Sequence, residues 1–168
     1  MKYKVLKKQK NSKMCFCCGM DNAFGFQAYF YELENGELVG LFTPREEHQS
    51  YPGRTHGGLS AAILDECLGR VIMVAEPGVW GVTVKLNLEY KKPVPLNVPL
   101  RVVSRITSNN RRLFEATGEI LLPDGQKAAT AWGKYMKLPV DKITDADLDA
   151  DSEMFYVPDD RDPQEIEL

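Results

Sequence analysis

Two features separated by about two helical turns carry the clearest chemistry in this sequence: His56-Gly57-Gly58 and the carboxylate Asp65. The segment they open, HGGLSAAILDECLGRVIMVAE, places apolar residues at Leu59, Ala62, Ile63, Cys67, Val71 and Ile72, which is helical spacing. The first N–H groups of a helix have no partner within it and lie at the positive end of its dipole. Glycine lets a ligand approach that backbone closely. Such a helix start suits a carbonyl oxygen that gains negative charge during acyl transfer. Asp65 is the candidate to activate water or to attack the carbonyl. It lies in an apolar stretch, AAILDECL, where a carboxylate needs a reason to be present. Glu66 is the competing carboxylate, and a surface charge or salt-bridge role is its simpler reading. Gly57-Gly58 is also an acceptable plain loop-to-helix entry.

The elements that must hold these residues follow from the pattern on either side. The helix is expected over about 58–75, ended by Pro77-Gly78. Before it, an aromatic strand-like run at 25–33 and a second at 37–43 flank Asn35-Gly36, a strong hairpin signal. After it, residues 82–90 alternate, with Val82, Val84, Leu86 and Leu88 expected on one face. Three further strands at 100–108, 113–122 and 126–137 would complete a four-strand meander, with turns at Asn109-Asn110 and Asp124-Gly125. One long helix and about six strands make an α+β layout, with the helix buried on the sheet's inner face. Residues 1–14 read as an exposed N-terminal arm or a short first element, and 15–139 as the folded domain. Residues 140–168 read as an acidic C-terminal tail with little to bury, except for the apolar patch at 154–157.

HGGLSAAILDE resembles the helix motif of hotdog-fold thioesterases of the phenylacetate-pathway (PaaI-like) group, within the 4-hydroxybenzoyl-CoA thioesterase superfamily. GVTVKLNLEYKKPVP resembles the strand that follows that helix, and CFCCGMDNAFGF resembles the opening of one subgroup. The resemblance spans roughly 15–138. It implies a hotdog fold, a long central helix wrapped by an antiparallel sheet, and hydrolysis of an acyl-CoA to a carboxylic acid and free CoA. It implies Asp65 as general base or nucleophile and Gly57 as the backbone N–H that polarises the thioester. It implies His56, Gly58, Gln49 and Thr83 as substrate-side residues, with Gln49 facing the site from a partner chain. It implies a homodimer or a tetramer built as a dimer of dimers, acyl-CoA at the subunit interface, and no cofactor.

The remaining signals are bland by comparison. The 168 residues, 43% hydrophobic, suffice for one core, and the net charge of −3 gives no basic footprint for nucleic acid. No apolar run reaches the ~20 residues of a membrane span. The basic N-terminus lacks the apolar stretch of a signal peptide, so a cytoplasmic protein is expected. Three of the four cysteines crowd into CFCCG, too close together for a disulfide framework. Cys15-x-x-Cys18 could be half of a zinc knuckle, but no second pair exists; packing or turn formation is the expected role and no metal is expected, with a site shared between subunits as the alternative. Lys91-Lys92 and Arg111-Arg112 could meet CoA phosphates but read more simply as turn and strand-end charges. A non-catalytic acyl-CoA or lipid-binding module on the same fold is the main alternative function. A hotdog dehydratase ranks below it.

Overall fold

The computed structural model describes residues 1–148 and 153–168. Its strands are β1 (Lys2–Lys8), β2 (Asn11–Ser12), β3 (Tyr29–Leu33), β4 (Leu38–Phe42), β5 (Trp80–Tyr90), β6 (Leu100–Asn109), β7 (Leu113–Leu121), β8 (Lys127–Leu138), β9 (Met154–Phe155) and β10 (Glu165–Glu167). The helices are α1 (Gly57–Arg70) and a short α2 (Ile72–Ala75). The single helix expected over 58–75 therefore tightens at Val71. Beyond it, the Val74 N–H reaches back only three residues, to the Val71 carbonyl at 3.1 Å.

The main sheet is antiparallel, in the order β10-β1-β3-β4-β6-β7-β8-β5. Eight strands replace the expected six or so, because the arm and the tail supply one each. β1 pairs with the otherwise open edge of β3, and β10 pairs with β1. That pairing satisfies backbone groups an edge strand would leave exposed. The expectation that the tail has little to bury is corrected here. Ile166 is buried with Tyr31, Leu33 and Val39, and the Asp162 carboxylate accepts from Tyr31 Oη and Lys8 Nζ, both at 2.6 Å. In the 154–157 patch, Met154 and Phe155 form β9 against β2.

The expected meander holds only for β6, β7 and β8. β5 lies at the far edge, paired with β8, because the proline-rich connection at 91–99 carries the chain across the sheet to β6. α1 lies on the inner face and buries Ile63, Leu64, Cys67 and Leu68 against Phe30, Leu38, Val102, Phe114, Ala116 and Tyr135. Each such aliphatic side chain contributes about 1.5–3 kcal/mol. The approach is close at Gly118. A Cβ there would sit 2.4 Å from the Val103 carbonyl oxygen and 2.6 Å from a Leu68 methyl.

β5 departs from its expected alternation. A bulge lies between Thr83 and Lys85: Thr83 pairs with Tyr135, and Lys85 already pairs with Lys134. Val84 is the extra residue and is 54% exposed. Leu86 and Leu88 pack into the core as expected, but they share the helix-facing side with Thr83 rather than with Val82 and Val84. The bulge thus changes the phase of the strand and turns a hydroxyl toward α1.

Candidate active site

The start of α1 is organised by His56. As N-cap, its Nδ1 accepts the Gly58 N–H at 2.9 Å, and its carbonyl accepts from the Leu59 and Ser60 N–H groups at 2.9 and 3.1 Å. Gly57 is the first helical residue, so its N–H has no intrahelical partner. The Gly57 carbonyl accepts the Tyr90 hydroxyl at 2.8 Å, tying the helix start to the end of β5. A groove of about 320 Å³ opens there, lined by Gly57, Ser60, Tyr90, Lys91 and Lys92. Lys91 pairs with Glu89 at 3.0 Å, and Lys92 reaches Gln126.

Asp65 lies two turns on. Thr83 Oγ1 approaches its Oδ1 at 2.9 Å and its Oδ2 at 3.1 Å. Tyr135 Oη donates to Oδ1 at 2.9 Å. Tyr135 is fully buried, stacked on Phe114 with ring centroids 5.0 Å apart. Burial first, and the Asp65 charge next, push its hydroxyl well above the usual tyrosine range, so it stays a proton donor. The carboxylate is thereby held at one oxygen by two hydroxyls, while the other is held only by the longer threonine contact. A cleft of about 130 Å³ opens on this group, lined also by Glu66, Met73 and Trp80. A neighbouring cavity of about 300 Å³ shares Arg70, Met73 and Trp80 with it. A carboxylate so fixed beside an open cleft can hold and deprotonate a water, or attack a carbonyl itself.

Thr83 and Asp65 are thus brought together. Gly57 is not at that cleft: eight residues at 1.5 Å rise put it about 12 Å from Asp65 along the helix. His56 and Gly58 stay at the helix start, and the Gly58 N–H is already taken by the imidazole. Gln49, in the loop before α1, accepts the Gly53 N–H on Oε1 at 3.0 Å, and no hydrogen bond joins it to Asp65. Glu66 is a salt-bridge partner: its Oε1 is 2.6 Å from Nε of Arg70, one turn on, and Arg70 is 6% exposed. The i,i+4 spacing was the available signal. Tyr135 was missed. The only sequence signal for it was a phenol on the β8 face that alternation assigns to the core.

Residues 52–129 match the family model described as the thioesterase superfamily. The chain is 32% identical over 142 residues to the rat acyl-coenzyme A thioesterase THEM4, covering 83% of this chain and 60% of that protein. It therefore spans less than two thirds of the relative's length. Among solved structures, the BH2602 protein of Bacillus halodurans with CoA superposes with a TM-score of 0.60 at 25% identity, covering 67% of this chain and 75% of that one. The Escherichia coli PaaI protein superposes with a TM-score of 0.61, covering 67% and 80%; at 14% identity it speaks for the fold alone.

Proposed function

We propose that this chain is a member of the thioesterase superfamily, which residues 52–129 match, and that it hydrolyses an acyl-CoA to a carboxylic acid and free CoA, with Asp65 as the reacting carboxylate. The observation that carries this reading is the Asp65 carboxylate held by Thr83 and Tyr135 at the mouth of a cleft. Asp65 takes a proton from the attacking water, or attacks the thioester carbon directly and is released by water afterwards. The thioester carbonyl oxygen gains negative charge, and the Gly57 N–H at the positive end of α1 is the donor suited to it. Proton delivery to the departing sulfur completes the products. Lys91 and Lys92 line the groove beside Gly57 and supply positive charge suited to CoA phosphates.

The 12 Å between Gly57 and Asp65 is too long for one carbonyl group to meet both within one chain. A site drawing Gly57 from one copy and Asp65 from another resolves this, and supports a dimer as the minimal active unit. β5, eleven residues long, is the outermost strand beside β8 and offers a continuous edge for a second copy. No helix among the described residues is long and apolar enough to cross a membrane.

The test is thiol release from short, medium, long and aromatic acyl-CoAs. Asp65→Asn is expected to lose about 10²-fold or more, because it removes a base acting in the transition state. Glu66→Gln is expected to retain activity per folded molecule while losing stability, because it strips a buried arginine of its counter-charge. Wild-type rates in Asp65→Asn would sink the assignment. Thermal stabilisation by CoA thioesters without turnover would favour a binding module instead.

A further inference from the structure

We propose that Cys15, Cys18 and Glu66 form a zinc site that pins the loop after β2 to the middle of α1. The two Sγ atoms and a carboxylate oxygen lie within 4.8 Å of one another. Ligands at about 2.0–2.3 Å from one ion fit within such a span, and a water in the fourth position would complete the tetrahedron. The sequence offers no second cysteine pair; the fold supplies the third donor from a residue 48 positions beyond Cys18.

The surroundings are arranged for bound thiolates. The Cys17 and Cys18 N–H groups point at Cys15 Sγ, at 3.3 and 3.5 Å. The turn closes through the Gly19 N–H to the Cys15 carbonyl at 2.7 Å, where a Cβ on Gly19 would fall 2.4 Å from that oxygen. Cys18 Sγ receives Arg70 Nη2 at 2.9 Å and contacts Ser12 Oγ at 3.4 Å. Arg70 is itself fixed by Glu66 and by the Lys10 carbonyl at 3.0 Å. These N–H donors are the kind of outer contact that orients metal ligands and spreads thiolate charge.

Charge favours a divalent ion over a bare anion cluster. Two thiolates and a carboxylate carry three negative charges; a divalent ion and Arg70 return three positive ones. The occupied site is neutral, as a largely buried group must be to avoid a large desolvation cost. Binding releases two thiol protons to solvent. Thiolate donors select a soft or borderline ion such as zinc over magnesium or calcium. A disulfide between the two cysteines would use neither Glu66 nor the Arg70 contact. This site is independent of the hydrolytic reading, since none of its ligands is assigned to the reaction.

The experiment is cobalt(II) titration of the full chain after reduction and chelator treatment, followed by absorption spectroscopy. The expected result is saturation at a single equivalent per chain, with thiolate-to-cobalt charge transfer and intense tetrahedral d–d bands. Those bands should weaken in Cys15→Ser and vanish in Cys15→Ser/Cys18→Ser. Melting of the wild type with zinc or with chelator gives a second readout that needs no variant, and zinc should raise the midpoint. No charge-transfer band in the reduced wild type, or the same band in the double variant, overturns the proposal. So does a pair found joined as a disulfide that binds no cobalt once reduced.

Discussion

At the scale of the residue, Asp65 is defined by the two hydroxyls that hold it. Thr83 is exposed and Tyr135 is buried, so the carboxylate is held from the cleft side and from the core side at once. A hydrogen bond to a charged group is worth about 1.5–3 kcal/mol. Tyr135→Phe keeps the ring stacked on Phe114 and removes only the hydroxyl. If Tyr135 positions the reacting carboxylate, kcat should fall about tenfold with KM nearly unchanged, since the loss falls on the chemical step. A steady-state comparison on one good thioester measures this split. An unchanged kcat would reduce Tyr135 to a packing residue.

At the scale of the element, two features position the site: the close seating of α1 and the bulge in β5. Gly118 lets Leu68 sit against the sheet where any Cβ would strike the Val103 carbonyl oxygen. Gly118→Ala should cost about 1–3 kcal/mol in urea unfolding, the usual penalty for overpacking, because the obstacle is backbone and cannot rotate away. A variant as stable as wild type would mean that the helix can ride up off the sheet. The helix was legible in the sequence from its apolar spacing, and its first residue was misplaced by only one, since the cap belongs to His56 rather than Gly57. The strand phase was not legible. Val84 is apolar and β-branched and reads as a core residue; only pairing with β8 makes it the extra one. Tyr135 was hidden for the same reason, because a sequence shows which face a residue shares but not which residue stands across from it. Of the two strands added beyond β3, β1 is rich in lysine and was legible only as an arm or a short first element, while β10 was masked by the acidic run around it.

At the scale of the whole molecule, the helix is too long for one chain to complete the proposed site, and that makes assembly testable through function. Gly57→Pro removes the N–H while suiting the first position of a helix. Gly57→Pro and Asp65→Asn should each be nearly inactive alone. Mixed in equal amounts and allowed to exchange subunits, they should recover about a quarter of the wild-type rate. Half of the dimers would be mixed, and each mixed dimer would hold one intact site of two. Rates no higher than the sum of the separate variants, after exchange is verified, would place the whole site within one chain.

Trp80 borders the cleft beside Asp65, and Trp132 is the only other indole in the chain, next to Lys85 rather than the cleft. The site therefore has a light-emitting reporter built into its wall. With Trp132 replaced by phenylalanine, the remaining emission comes from the cleft alone. An acyl group entering it would strip water from the Trp80 ring and shift its colour toward the blue, making occupancy visible in a molecule that carries no added dye.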